Sequence, residues 1–503
     1  MGVLVVQHVR DEGPYAIGEA LAAAGLPVQV CRVWAGDPVP EGLAGVEALV
    51  VMGGPAAAYR DDGFPTRRAE LALLRAALAA EVPVLGVCLG AQLLAVAAGG
   101  TAFAGGAAVP RCAAVADGTA VPGGAAVADG VAVPGGAAVA DGAAVPGGSG
   151  AQIGWGEVRT GPAAARDPLF SGVPERLRVL HWHRDTMTAP PGAVVLASCE
   201  RYPVQAFRVG GAAWGVQFHL EADATAVAAF AAAFPAEAAT APELLPAAPA
   251  ELAALAPYRD QVFGRFAALV AARAERTATR TFFTPKAASW EARFAADGPR
   301  YDQAVARLGL RPGQTALDLG CGTGRALPAL RAGVGEKGAV FGVDVTAAML
   351  RAAAREARAG AGVAGLLLAD CVRLPLGPGS VDGIFTAGLL DHLPDPPAAL
   401  REWARVTAPG GALLLFHPSG RAERAARHGR PLSPDDPLGE PNLRPMLEGS
   451  GWRLECYEDA TAYFLARAVR VEAVRVEAVR TGAVRVGGGT SGGGAGGGGT
   501  GGG

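Results

Sequence analysis

The chain has 503 residues, room for three or four domains at about 150 residues each. Half of it is hydrophobic and 18% is charged, so apolar material for packed cores is ample and a largely disordered chain is excluded. The formal net charge is −3, from 44 basic and 47 acidic residues, and no basic excess marks a surface for nucleic acid or an anionic membrane.

Gly and Pro number 73 and 38, nearly twice their usual combined share of about 12%. Part of the chain is therefore linker or low complexity. Lys286 and Lys337 are the only lysines; the arginine and alanine abundance reads as compositional bias. The seven cysteines, Cys31, Cys88, Cys112, Cys199, Cys321, Cys371 and Cys456, are sparse and contain no CxxC pair. Neither a disulfide framework nor a metal site is expected, and a reducing compartment is the default. Residues 2–6 are apolar but give way at once to Gln7, His8, Arg10, Asp11 and Glu12, which is not a secretory signal. The alanine run at 224–236 is broken by Pro235 and too short to span a bilayer. A soluble cytoplasmic protein is expected, with no membrane or nucleic-acid partner.

Residues 3–7 read as a buried strand, and 48–52 as another that runs into Gly53-Gly54-Pro55. A helix pattern covers 67–80, a short apolar strand 84–87, and a second helix 89–98, stopped by Gly99-Gly100. Such alternation predicts a mainly parallel sheet with helices on both faces. Residues 111–146 then carry three 12-residue copies, each with one Asp (Asp117, Asp129, Asp141), one Asp-Gly and one Val-Pro. Extended hairpins and a floppy insertion both fit these turn signals; one carboxylate per copy is too few for calcium. Strand-rich sequence returns at 152–159 and 194–218, followed by an Ala/Pro-rich stretch at 237–257 and an amphipathic helix at 259–276. A second α/β unit follows to about residue 466. Beyond it come a five-residue AVR-type repeat and a Gly-rich end from Gly487, which has no side chains to bury and is expected to be disordered.

Gly86-Val87-Cys88-Leu89-Gly90 lies where a strand meets a helix. A tight turn there exposes a nucleophile, and a helix N-terminus favours the reactive thiolate. The Leu89 amide would face a developing oxyanion, with a second donor from Gly53-Gly54. Downstream, residues 214–218 read as a strand that ends in His219, with Glu221 two positions on. Positions i and i+2 of extended backbone face the same way, so Glu221 can orient His219 toward Cys88. That is the nucleophile, base and orienter logic of covalent catalysis.

The segments G-V-C-L-G-A-Q and G-V-Q-F-H-L-E, with Gly53-Gly54-Pro55 and His181-Trp182-His183-Arg184-Asp185, resemble the class I glutamine amidotransferases of the GMP synthase type. The resemblance covers residues 1–275, outside a low-complexity insertion at 105–150. It implies Cys88 as nucleophile, His219 as base and then acid, and Glu221 as orienter. The amides of Gly54 and Leu89 would form the oxyanion hole, and Gln92, His183 and Asp185 would hold glutamine. Leu220 stands where proline is common, and Arg184 where the GMP synthase type has glycine. The second departure admits other γ-glutamyl substrates. The synthase domain that would use ammonia is absent, so an ammonia-accepting partner protein is a further expectation.

In the second unit, residues 315–319 read as a strand that runs into Gly320-Cys321-Gly322-Thr323-Gly324. Such glycines let backbone approach a ligand. Arg325 occupies the place of the third glycine in G-x-G-x-x-G, which disfavours a dinucleotide. Strands at 339–343 and 366–369 end in Asp344 and Asp370, an acid at the first being suited to ribose hydroxyls. D-L-G-C-G-T-G, G-V-D and L-A-D, then P-G-G, resemble the class I S-adenosylmethionine-dependent methyltransferases over residues 281–466. The resemblance implies S-adenosyl-L-methionine as cofactor and a seven-stranded Rossmann-like sheet with an antiparallel final hairpin. Gly320, Gly322 and Gly324 would approach the methionine part, Asp344 the ribose and Asp370 the adenine, with Asp318 also in the cofactor site.

The methyl acceptor is less defined. Asp391 and His392 lie where a base could sit, or are solvated loop residues. Residues 282–294 form a lid or merely pack. Arg421, Arg427, His428 and Arg430 contact a polar acceptor or form a solvated basic face. The fold class is therefore two doubly wound α/β domains, at 1–275 and 281–466, with a low-complexity tail at 467–503. The expected function is bifunctional: glutamine amide hydrolysis plus methyl transfer to a small molecule. The alternatives are a methyltransferase whose first domain is an inactive docking module, and a γ-glutamyl hydrolase with another substrate.

Overall fold

A computed structural model of the chain describes residues 2–105, 150–355, 365–427 and 429–471. The 12-residue repeats, Cys112, His428 and the Gly-rich end lie outside the described residues. The chain divides into two compact units, Met1–Thr281 and Phe282–Gly503. No helix among the described residues is long and apolar enough to cross a membrane.

The first unit is built on a nine-stranded sheet. Five neighbouring strands run parallel, in the order Val28–Arg32, Gly2–Gln7, Val46–Val51, Val84–Val87 and Ala213–Val216. The apolar runs of Gly2–Gln7, Val84–Val87 and Ala213–Val216 follow from cover on both faces. Along Gly2–Gln7, Val3 and Val5 enter one core cluster while Leu4 and Val6 enter the other. The remaining four strands, Ala206–Val209, Val194–Ser198, Gln152–Thr160 and Arg176–His183, extend the sheet antiparallel. The parallel half follows the alternation of strand and helix patterns; the antiparallel half departs from it.

A second departure is helix Leu244–Phe283, 40 residues long with Pro249 and Pro257 inside. Sequence alone reads an Ala/Pro-rich stretch at 237–257 and an amphipathic helix at 259–276. Proline removes one intrahelical bond, but Leu255, Val262, Phe263, Phe266 and Val270 bury one continuous face of the helix in a core, and that packing outweighs the lost bonds.

The second unit is a seven-stranded sheet. Gly365–Leu368, Ala339–Asp344, Thr315–Leu319, Val381–Ala387 and Thr407–His417 are parallel neighbours. The hairpin Trp452–Ala460 and Tyr463–Arg470 completes the sheet antiparallel. Trp403 and Trp452 are fully buried, and each indole donates to a main-chain carbonyl, of Cys371 and Leu400 respectively.

Candidate active sites

In the first unit four adjacent parallel strands present their carboxyl ends together, which is where ligands bind in open α/β sheets. Gly2–Gln7 leads to His8 and Glu12, Val46–Val51 to Gly53 and Gly54, Val84–Val87 to Cys88, and Ala213–Val216 to His219 and Glu221.

Cys88 sits at φ +51° and ψ −106° between its strand and helix Leu89–Ala97. This is a sparsely populated backbone region for an L residue and costs on the order of 1–3 kcal/mol. The surroundings enforce it. The Cys88 amide donates to Val216 O at 2.8 Å, and its carbonyl accepts from the Gln92 amide at 3.1 Å. A Cβ on Gly86 would meet Gly90 O at 2.5 Å, and one on Gly90 would collide with the Val51 carbonyl. The flanking glycines are therefore required by close approach of backbone to backbone.

His219 donates its amide to Leu180 O at 2.8 Å, and its Nδ1 bonds Glu221 Oε1 at 2.7 Å. Both side chains are about 1% exposed. Phe230 packs edge-on against the imidazole with ring centroids 5.0 Å apart. Nε2 is buried with no hydrogen-bond partner among the described residues. Burial opposes charge on the ring, but Glu221 and the adjacent Cys88 outweigh it and hold His219 well above its ordinary range. Burial pushes the Cys88 thiol up, with His219 pulling the other way. The structure thus brings a thiol, a strong base and a buried carboxylate into one group, and a thiol proton has an acceptor beside it.

The remaining sequence-predicted residues surround this group. Gln92 donates from Nε2 to Asp185 O at 3.1 Å and Gln217 Oε1 at 3.2 Å. His183 bonds Asp185 O through Nδ1 at 3.0 Å and is pushed down to about 3 by burial, so it stays neutral. Asp185 is raised by burial, with the Tyr59 hydroxyl and Arg60 beside it pulling down. Arg184 points away: its side chain is 68% exposed and pairs with Glu237 at 2.7 Å.

Sequence reasoning missed three buried groups here. Glu12 is 5% exposed, next to Gly53, and is raised by burial while His219 pulls it down. His8 and Glu70 form a buried pair at 2.8 Å. His8 and Glu12 were visible only as polar residues ending an apolar run; their place at the carboxyl end of a parallel strand was the usable signal.

In the second unit Gly320, Gly322 and Gly324 take φ values of +66°, +53° and +82°, which side chains avoid. Asp344 closes this loop: Oδ2 accepts from the Gly322 amide at 3.0 Å and Oδ1 from the Thr346 amide at 2.7 Å. Asp318 is 3% exposed, and its carboxyl makes no hydrogen bond among the described residues. Burial and the neighbouring Asp344 push it up to about 8. A carboxyl of low exposure beside a glycine cradle fits a ligand that brings its own cationic donor. Asp370 accepts from the Val372 amide through Oδ1 at 3.1 Å.

Over the loop, helix Trp290–Phe294 contributes Glu291, whose Oε2 accepts from Thr323 at 3.1 Å and Arg325 at 3.2 Å. This tie joins the segment 282–294 to the glycine loop. Of the candidate acceptor groups, Asp391 pairs with Arg424 at 2.9 Å and His392 is exposed. Arg421 pairs with Asp436 and Asp459, Arg427 bonds Ser419, and Arg430 is exposed. His417, which opens the candidate acceptor segment 417–444 of the sequence reading, accepts from the Ser419 amide at Nδ1 (3.1 Å), is lowered by burial and lies against Gly388.

Residues 9–231 match the family model described as glutamine amidotransferase class-I, and residues 317–415 match the one described as methyltransferase domain. The chain is 27% identical over 230 residues to the putative glutamine amidotransferase-like protein YfeJ of Salmonella typhimurium, covering 45% of this chain and 78% of that protein. It is 32% identical over 119 residues to a demethylmenaquinone methyltransferase of Geobacillus kaustophilus, covering 24% of this chain and 51% of that protein. A 2-phytyl-1,4-naphtoquinone methyltransferase of Thermosynechococcus vestitus is 41% identical over 122 residues, 24% of this chain and 54% of that protein. The chain spans between about a third and about a half of the first curated relatives it matches. Among solved structures, a glutamine amidotransferase from Thermotoga maritima aligns with TM-score 0.41 and 24% identity, over 53% of this chain and 97% of that one.

Proposed function

We propose that this chain, a class-I glutamine amidotransferase-like domain joined to a methyltransferase domain, hydrolyses the side-chain amide of glutamine in its first unit and transfers a methyl group from S-adenosyl-L-methionine to a small molecule in its second. The observation that carries the hydrolase half is the positive-φ Cys88 beside His219, whose Nε2 is buried and unpartnered among the described residues and whose Nδ1 is held by Glu221.

His219 takes the Cys88 proton as sulfur adds to the amide carbon. The carbonyl oxygen becomes an oxyanion, with the amides of Gly54 and Leu89 as its donors; one such donor is worth about 3 kcal/mol. The C–N bond breaks as His219 returns its proton to the leaving nitrogen, which departs as ammonia and leaves a thioester. Water, deprotonated by His219, adds to the thioester, and glutamate leaves as sulfur recovers its proton. Glu221 keeps the ring oriented throughout and offsets its charge. Gln92, His183 and Asp185 would hold the substrate. The pairing of Arg184 with Glu237 at an exposed position supports glutamine over another γ-glutamyl compound, because the arginine is engaged there and not held free for a substrate.

In the second unit Asp318, Gly320, Gly322, Gly324, Asp344 and Asp370 would hold the cofactor, which supplies a methyl group on a sulfonium. Asp318 would face its ammonium, and Glu291 would cover the loop. Positioning of donor against nucleophile then does most of the work. The quinone methyltransferase relatives support a small-molecule acceptor. Two measurements test the reading: ammonia release from glutamine by wild type and Cys88→Ala, and calorimetric binding of S-adenosyl-L-methionine by wild type and Asp344→Ala. Equal, negligible ammonia release from both proteins would favour a docking role for the first unit. Unchanged affinity in the second variant would overturn the cofactor assignment.

A further inference from the structure

His8 follows the first strand and is buried at 8% exposure. Both of its ring nitrogens face acceptors. Nδ1 lies 3.0 Å from the Gly53 carbonyl, and Nε2 lies 2.8 Å from Glu70 Oε2. A carbonyl can only accept, so Nδ1 carries a proton whichever way the Nε2 proton is shared with Glu70. Glu70, on helix Arg67–Ala79, is fixed in turn by the Thr66 hydroxyl at 2.6 Å on Oε1. Phe64 packs edge-on to the imidazole, with centroids 5.6 Å apart. The ring has one orientation, and the Gly53 carbonyl is tied to it.

A trans peptide points its carbonyl and its N–H in opposite directions, and no cis peptide occurs among the described residues. With the Gly53 oxygen directed at His8, the Gly54 N–H is directed away from His8. That N–H has no hydrogen-bond partner among the described residues. The two glycines border the hydrolase centre: a Cβ on Gly53 would meet Glu12 and lie 3.2 Å from His219 Cε1, and one on Gly54 would lie 2.7 Å from His8 Cβ and 3.2 Å from Leu89 Cδ2. Glycine at both positions keeps the backbone conformationally permissive, and the hydrogen bond to His8 fixes the Gly53 carbonyl.

We propose that His8, braced by Glu70, is a positioning residue that locks the Gly53–Gly54 peptide with its carbonyl outward, and so holds the Gly54 N–H ready for the oxyanion formed at Cys88. The proposal rests on the hydrolase reading given above. It adds the side chains that hold the Gly53–Gly54 peptide in place, His8 and Glu70.

The test compares His8→Phe and His8→Asn, each in the Glu70→Gln background so that no buried charge loses its partner. Asn restores a single N–H near the place of Nδ1; Phe does not. In the full-length protein, kcat for ammonia release from glutamine is expected to stay within about threefold of Glu70→Gln alone for the Asn form. It is expected to fall roughly 100-fold for the Phe form, the usual effect of one oxyanion donor, with KM little changed. Alkylation of Cys88 by iodoacetamide passes through no oxyanion and is expected at equal rates in both. Equal kcat values for the Phe and Asn forms overturn the proposal. Crystal structures of the two forms read the lock without activity: a Gly53 carbonyl still outward in the Phe form also overturns it. Absence of ammonia release from wild type would defeat the hydrolase reading and leave the crystallographic arm to decide the lock. If both double variants are insoluble, nitrogen spectra of histidine-labelled wild type decide, and a His8 Nδ1 without a proton refutes the proposal.

Discussion

Asp318→Asn separates a carboxyl kept for a ligand from one kept for the fold. In the free protein Asp318 is buried beside Asp344 without a hydrogen bond among the described residues, and is pushed up to about 8. Unfolded, it titrates near 3.9. Below about pH 4 both states hold the proton and the residue adds no pH dependence. From there to about pH 8 the unfolded chain has released a proton that the native state retains, so stability falls by about 1.4 kcal/mol per pH unit. By pH 7 the loss is on the order of 4 kcal/mol, and it flattens once native Asp318 ionises near pH 8. Asparagine has nothing to titrate. Scanning calorimetry of the full chain from pH 5 to pH 9 should therefore show the second unit of the variant gaining on wild type as pH rises, by roughly 10 °C at neutral pH for a unit of this size. The first unit's transition serves as an internal control. If the second-unit transitions of the two proteins run parallel over this range, Asp318 is ionised in the native state and the reasoning fails. The same carboxyl predicts that binding a cationic ligand at pH 7 expels close to one proton. Calorimetric binding of S-adenosyl-L-methionine in buffers of different ionisation enthalpy reads that proton, and the variant should lack it.

Glu221→Gln removes the charge that raises His219. The acid limb of kcat/KM for glutamine should move to lower pH while the plateau drops, by roughly 100-fold if the ion-paired hydrogen bond is worth about 3 kcal/mol; an unmoved limb would mean that Glu221 does not set the proton affinity of His219. Gly90→Ala drives a methyl into the Val51 carbonyl and should destabilise the first unit by about 1–3 kcal/mol, with loss of ammonia release; calorimetry alongside the activity assay checks both, and an unaltered first-unit transition would contradict the packing at the elbow. Arg184→Gly should leave glutamine hydrolysis within about twofold, because what is lost is an ion pair of an exposed arginine and the smallest of the pulls that lower Asp185; a tenfold change in KM would place the arginine in the substrate's path.

Elements that carry local signals were readable from residues alone. Thr315–Leu319 and Val84–Val87 are apolar runs closed by a turn, and their ends match the expected ones. Arg176–His183 was not readable as a strand, because RLRVLHWH mixes charge and imidazole with apolar residues and was legible only as a His-Trp-His cluster. Its burial comes from pairing with Gln152–Thr160, across a stretch of chain that local periodicity cannot bridge. The long helix was misread for the complementary reason: Pro249 and Pro257 are strong local breakers, and only the tertiary contacts of Leu255 to Val270 override them.

The same division explains the candidate sites. Cys88, His219 and Glu221 announce themselves because nucleophile and base stand in motifs whose neighbours are dictated by backbone geometry. Gly86 and Gly90 are fixed by carbonyls less than a side chain away, and glycine is the one residue that satisfies them. His8, Glu12 and Glu70 act through space, from one strand end and a helix 60 residues later, and nothing in their local sequence distinguishes them from solvated polar residues. Their burial follows from the topology. Gly2–Gln7 lies one strand in from the sheet edge, with Val28–Arg32 added outside it and Val46–Val51 on its other side. That reversal opens the crevice at the carboxyl ends of Gly2–Gln7 and Val46–Val51, and His8 and Gly53 occupy it. In the second sheet the reversal falls at Thr315–Leu319, flanked by Ala339–Asp344 and Val381–Ala387, and Asp318 with its glycine loop lies at that end. The two sheets thus face the same geometric demand and meet it differently. The glycine loop after Thr315–Leu319 holds several residues at positive φ and uses glycine at each. The elbow at Cys88 holds a side chain at positive φ, so it retains cysteine there and takes its glycines on either side.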